Sequence, residues 1–163
     1  MSNHTAGGGT THITRAGIPQ LDQRLDKIAA MYDYERTQQI EPWADLWADD
    51  ARVTFPLDSE PGSRTVEGKE AIVPWTRNKF VERASTDIDA RLEAVAGAPR
   101  VIAHLDVFLH FENGLGIGGP LVAIFTFDED GKVVLMEEYV NDAYFPKHYK
   151  DLATPDAAQA VND

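Results

Sequence analysis

The chain has no cysteine among its 163 residues. Disulfides and thiolate metal sites are therefore excluded, and nothing argues for an oxidising compartment. It also lacks any apolar run long enough for a membrane span, and the opening MSNHTAGGGTTHITR has no signal-peptide apolar core. The expected location is the cytoplasm, with no membrane partner. Basic residues are scarce, 15 against 27 acidic, for a formal net charge of −12. Phosphate recognition needs clustered Lys and Arg, so nucleic acid is not an expected partner. Metal-ligand spacing is missing too: no HxxxH or HxH occurs, and His104 and His110 stand too far apart on one segment to share an ion. Gly114, Gly116, Gly118 and Gly119 make no phosphate loop, since neither Lys-Ser nor Lys-Thr follows and no helix begins there. Neither a metal nor a cofactor is expected, and there are no internal repeats.

What is present is 43% hydrophobic and 26% charged, ordinary for one soluble domain with a real core. The strongest pattern is Val101–Phe111. Val101, Ala103, Leu105, Val107, Leu109 and Phe111 are apolar, while Ile102, His104, Asp106, Phe108 and His110 between them are mixed. Period-two alternation of this length predicts a strand, because successive side chains point to opposite faces. His104 and Asp106 then share a face with bulky apolar residues, a setting in which titratable groups acquire shifted pKa values. The competing reading makes that mixed face the wet side of an antiparallel sheet and the apolar face the core.

The rest of the chain divides in two. Residues 1–16, polar and glycine-rich, read as a flexible tail. Ile18, Leu21, Leu25, Ile28 and Tyr32 recur at helical spacing behind Pro19, predicting an amphipathic helix. A second helix is expected from Pro42, burying Trp43, Leu46 and Trp47, followed by a strand over residues 51–56. Ala71, Ile72, Trp75 and Phe80 suggest a third helix, which starts or bends at Pro74. From Thr86 onward the pattern is of strands, at 86–94, 101–111, 121–127 and 133–144, punctuated by turn chemistry at Gly97, Gly114 and Gly131. The folded domain is expected over 17–146, with 147–163 a tail carrying at most a short helix. Helices first and an antiparallel sheet second predict an α+β domain.

That order, with the stretches WADDARVTFP, VEGKEAI and FDEDGKVVLMEEYVND, resembles the nuclear-transport-factor-two-like superfamily, in its SnoaL-like and ketosteroid-isomerase-like branch. The resemblance implies a cone-shaped barrel in which a bent antiparallel sheet wraps three N-terminal helices around a deep apolar pocket. It covers roughly residues 18–145 and says less about activity, because such folds host isomerases, cyclases, dehydratases, epoxide hydrolases and binding modules. The ketosteroid-isomerase base falls at Phe55 and its acidic oxyanion donor near Ala123, so two of three catalytic groups are replaced, while Tyr32 matches its Tyr. Limonene epoxide hydrolase is matched in part by His104, Asp106 and Glu138, its first-strand water-holders falling near Val53 and Phe55. SnoaL-like cyclases often carry an acid that here resembles Asp142.

The catalytic set expected on these grounds is Asp106 as base, Glu138 as acid or relay, His104 as bridge and Tyr32 as oxyanion donor, with Asp142 in reserve. Trp47, Phe55, Trp75, Phe108, Ala123 and Val140 are expected to bind substrate. The function expected is acid–base chemistry on a small apolar oxygenated molecule, as a natural-product cyclase or isomerase. The alternatives are a limonene-type epoxide hydrolase and a non-catalytic binding module, in which His104, Asp106 and Glu138 would face solvent or a partner subunit. A homodimer is expected through the sheet face away from the pocket.

Overall fold

Strand β5 (Arg100–His110) is the centre of the molecule: its odd residues turn inward and its even residues outward. Val101 and Ala103 are fully buried, while Asp106 and Phe108 are exposed. The computed structural model describes residues 6–58 and 64–146. In chain order the elements are β1 (Thr11–Thr14), α1 (Pro19–Arg36), α2 (Ile40–Ala44), β2 (Trp47–Thr54), β3 (Val66–Glu67), α3 (Lys69–Glu82), β4 (Ser85–Ala94), β5, β6 (Gly116–Phe127) and β7 (Val133–Tyr139). Three helices and a seven-stranded sheet, ordered β1-β4-β5-β6-β7-β2-β3 and not closed, make the expected α+β cone.

The sheet departs from the expected all-antiparallel form. The β4-to-β7 meander is antiparallel, but β1 joins β4 and β2 joins β7 in parallel. Both added strands come from the helical half of the chain, whose long connections permit parallel pairing where a tight turn cannot.

Helix α1 buries Leu25, Ile28, Met31 and Tyr32 at spacings of three, three and one, so one stripe meets the sheet. Each such aliphatic side chain contributes about 1.5–3 kcal/mol on burial. The helix continues beyond Tyr32 to Arg36, whose buried guanidinium donates to the Ile88 carbonyl (3.0 and 2.8 Å) and to Thr11 Oγ1 (2.8 Å). Trp47, expected on the second helix, opens β2 instead and stacks on Trp43 at 5.0 Å. Helix α3 runs through Pro74, which lies exposed inside it.

Two glycine stretches are ordered, the first of them within the segment expected to be a flexible tail. In the supposed tail, Gly9 has φ +107°, and a Cβ there would collide with the Ile88 carbonyl. The preceding segment lies along β4: Ile88 N–H donates to the Gly8 carbonyl (3.0 Å) and Ala90 N–H to the Thr10 carbonyl (2.8 Å). On β6, a Cβ at Gly118 would stand 2.6 Å from the Phe108 ring, which lies across the strand. The last strand is shorter than expected. It ends at Tyr139, and the chain turns, with Tyr144 and Phe145 N–H groups donating to the Asn141 carbonyl (3.0 Å each). The tail expected over 147–163, with its short helix, lies outside the described residues. Among the described residues no helix is long and apolar enough to cross a membrane.

Candidate active site

Between the helices and the inner face of the sheet lies a cavity of about 430 Å³. Leu105, Val107 and Leu109 of β5 give it an apolar floor, and its polar groups come from other elements. Tyr32 and Glu35 reach it from α1, three residues apart and so on one helical face. Trp75, Thr76, Lys79 and Phe80 reach it from α3, with Arg83 just past that helix. Glu138 joins Met136 and Val140 from the end of β7.

Glu35 accepts a hydrogen bond from Trp43 Nε1 (3.1 Å). Burial pushes its carboxyl above the ordinary glutamate value and the charge of Glu138 adds to this; the Trp43 bond, Lys79 and Arg83 pull the other way. Burial, with the charges of Glu35 and Glu138, holds the Tyr32 hydroxyl well above the usual phenol range, so it remains an O–H donor. Its ring packs edge-on against Phe125, 6.2 Å between centroids. Arg64 is gripped through Nε and Nη2 by both oxygens of buried Asp58 (Nε to Oδ2, 2.7 Å) and lies 4.4 Å from the Phe55 ring centre. The carboxylate of Asp142, on the exposed turn after β7, comes within 4.0 Å of Arg64.

The sequence-predicted residues therefore divide between the two sides of the sheet. Tyr32, Glu138, Phe55, Trp75 and Val140 line the cavity. His104 and Asp106 line a separate, more open groove of about 670 Å³ on the outer face, with His12, Asp89, Arg91 and Tyr139. The expected constellation of Asp106, His104, Glu138 and Tyr32 does not form, because the even positions of β5 point away from the helices. His104 instead sits 3.6 Å from Glu93. Phe108 is on the outer face, 44% exposed, and Trp47 and Ala123 are buried in the core without lining the cavity. Missed altogether were Glu35, Arg64, Lys79 and Arg83. One signal for Glu35 was present: Ile28, Tyr32 and Glu35 fall at i, i+4 and i+7, one stripe of α1. Among the described residues, no three His, Asp or Glu side chains form a group suited to a metal ion.

Comparison with solved structures gives the same fold in several proteins. A Bacillus subtilis protein with a provisional isomerase name is 21% identical, with TM-score 0.65, over 78% of this chain and 96% of that one. RV0760c from Mycobacterium tuberculosis, in complex with estradiol-17beta-hemisuccinate, is 16% identical, TM-score 0.65, over 74% and 95%. SalBIII, an epoxide hydrolase/cyclase-like enzyme with a role in pyran ring formation in polyether salinomycin, is 18% identical, TM-score 0.64, over 77% and 96%. At these identities the likeness is one of fold. No curated protein matches the sequence. The family profile for the SnoaL-like domain matches residues 28–136, which takes in the cavity-lining parts of all three helices and of β4 to β6. On that match, across well over half its length, the chain belongs to the SnoaL-like family.

Proposed function

We propose that the inner cavity is the active site of an acid–base enzyme that cyclises or isomerises a small, apolar, oxygenated molecule without a cofactor. The observation that carries this is a pair of carboxyl groups from two different elements, Glu35 of α1 and Glu138 of β7, lining one cavity with an apolar floor. Two such groups separate into a proton holder and a charged base, because ionising both at once is costly. Glu35, whose carboxyl is pushed toward its protonated form, is assigned as acid, and Glu138 as base. Tyr32 donates to the oxyanion that forms as a proton leaves the carbon beside a carbonyl. The enolate then attacks an internal electrophile, closing a ring, or is reprotonated elsewhere, giving an isomer.

The same pair suits a second reaction, in which Glu138 activates water and Glu35 protonates an opening epoxide. The name borne by SalBIII favours keeping this reading second. Asp106 and His104, on the outer face, are assigned no part in either reaction. A homodimer formed through that outer face, where Phe108 is exposed, completes the proposal.

The test is deuterium exchange at the α-carbon of cyclic ketones and polyketide-like diketones in heavy water, followed by NMR, beside a panel of epoxides. Glu138→Gln is expected to slow exchange by about 10²–10⁴-fold. No exchange on any ketone, with hydrolysis of an epoxide that Glu138→Gln abolishes, would select the second reaction. Activity untouched by Glu138→Gln would remove both.

A further inference from the structure

The turn between α1 and α2 is built against the preference of its backbone. Gln38 stands there at φ +55°, the left-handed region that a helix end usually gives to glycine. The turn closes around it, with Gln38 N–H donating to the Glu35 carbonyl (3.3 Å) and Gln39 N–H to the Tyr34 carbonyl (2.8 Å). A glycine would adopt this turn more easily, but it would lack the side chain whose Nε2 donates to the Arg83 carbonyl past the end of α3 (3.3 Å). Backbone strain that persists beside a cavity points to a function.

What the turn delivers is Trp43. It reverses the chain so that α2 lies against the end of α1, and Trp43 Nε1 donates to Glu35 Oε1 (3.1 Å). Both side chains line the inner cavity. Trp43 is buried and stacked on Trp47, which fixes the plane of its ring. Packing alone does not provide an acceptor for such an indole: the buried Nε1 of Trp47 has none among the described residues. A carboxyl group has two oxygens, and the Trp43 indole takes one. In a protonated carboxyl the better acceptor is the carbonyl oxygen, so an indole donating to Oε1 leaves the proton on Oε2.

Resting on the acid–base reading above, we infer that Trp43 is a positioning residue for the acid of the reaction: its N–H fixes which oxygen of Glu35 carries the proton and holds that carboxyl in both protonation states. The same bond stabilises the carboxylate that remains once the proton has been given away, and so opposes the effect of burial on Glu35. Tyr32 of α1, Lys79 of α3, Arg83 just past it and Glu138 of β7 also act on Glu35 or face it. A variant that deletes only the indole N–H leaves all four in place.

The first test needs no substrate. In the full chain labelled with ¹⁵N at its indoles, the Trp43 N–H resonance is expected to shift with pH in a titration that Glu35→Gln abolishes, while the Trp47 resonance stays still. In Trp43→Phe, with folding checked by thermal melts, the ¹³C-labelled Glu35 carboxyl, identified by its loss in Glu35→Gln, is expected to titrate at higher pH than in the parent. If that variant does not fold, 3-benzothienylalanine at position 43, with sulfur in place of the N–H in a ring of the same shape, makes the same comparison. An indole resonance indifferent to pH, a titration that persists in Glu35→Gln, or a Glu35 midpoint that does not rise when the N–H is removed overturns the inference. On the ketone that exchanges fastest, Trp43→Phe is expected to slow turnover by about 10-fold or more and to move the alkaline limb of the rate profile upward with the Glu35 midpoint. Full turnover with an unmoved limb removes the positioning role and leaves the acid–base reading standing. Titrations as expected, with no exchange on any ketone and no epoxide opened, remove the acid–base reading and leave Trp43 as the group that orients Glu35.

Discussion

The two faces of β5 carry opposite kinds of information. The outer face has the residues that look chemical, His104, Asp106 and His110, and they stand among exposed neighbours where charge is cheap. The inner face has only Val101, Ala103, Leu105, Val107 and Leu109, and it floors the cavity in which charge is expensive. Reactive groups enter that cavity from α1, α3 and β7, one or two from each. A site assembled in this way leaves no local cluster in the sequence, whereas a surface strand with alternating polar residues leaves a conspicuous one.

The largest effect should fall on activity. Glu138→Gln and Glu35→Gln are each expected to lower turnover by about 10²–10⁴-fold, while Asp106→Asn stays within about twofold of the parent. Initial rates of exchange on the best ketone measure all three. A loss in Asp106→Asn as deep as that in Glu138→Gln would move the chemistry to the outer groove and erase the contrast between the faces.

Stability should divide the same way. Leu105 is 5% exposed at the floor of the cavity, and Leu105→Ala is expected to cost about 2–4 kcal/mol. His104→Ala, one residue away on the outer face, should change stability by no more than about 0.5 kcal/mol. Urea unfolding of the two variants compares them directly, and equal losses would mean that the outer groove is as tightly covered as the core.

Much of the fold was legible because it rests on periodicity. The apolar stripe of α1 and the alternation of β4 and β5 are properties of neighbouring residues, and they predicted the elements correctly. Which face of β5 would meet the helices was not legible, since alternation fixes that two faces exist and leaves their assignment to packing. The deciding fact is that the wholly apolar set buries more than the mixed one, a comparison that Ile102 and Phe108 obscured by being apolar on the wet side. The glycine run failed for a different reason. Gly7, Gly8 and Gly9 read as a linker by composition, yet they are small so that the chain can lie against β4. Tyr32 was found because it matches the tyrosine of the ketosteroid-isomerase resemblance. Glu35 was passed over because the apolar periodicity ends at Tyr32, and a single carboxylate one turn further leaves no apolar periodic signal.

Glu35 offers a sharper probe of the inner face. Its folded pKa is raised above the ordinary 4.5, chiefly by burial. Such a group contributes stability that is fully present below its unfolded pKa and lost as pH rises through the folded one. Glu35→Gln should therefore be more stable than the parent at neutral pH, by an amount on the order of 1 kcal/mol, with the gap closing below the ordinary value. Melting temperatures across that range measure it, and a variant less stable than the parent at neutral pH would place the Glu35 carboxylate in a site that favours its charge.

The outer face has a pH dependence of opposite sign and smaller size. Asp87 of β4 accepts from the Gly8 N–H (2.6 Å) and pairs with His110 Nε2 (2.7 Å), and Asp89 accepts from the Thr10 N–H (2.9 Å). These carboxylates hold the N-terminal segment against β4. The Gly8 bond first, and then His110, lower the Asp87 pKa below its ordinary 3.8. A depressed carboxyl contributes stability that is present above the unfolded pKa and lost as pH falls through the folded one. Because the Asp87 side chain is 44% exposed, solvent screening limits the effect of Asp87→Asn to at most about 1 kcal/mol. Amide hydrogen exchange reads it locally: in the variant, Gly8 and Ala90 should exchange faster at neutral pH, while Leu92 and Val101, fully buried on the inner face, hold their protection. Faster exchange at all four amides would tie the N-terminal segment to the core and join the two faces into one cooperative unit. Faster exchange at the first two alone would make that segment a strap that opens on acidification without disturbing the cavity.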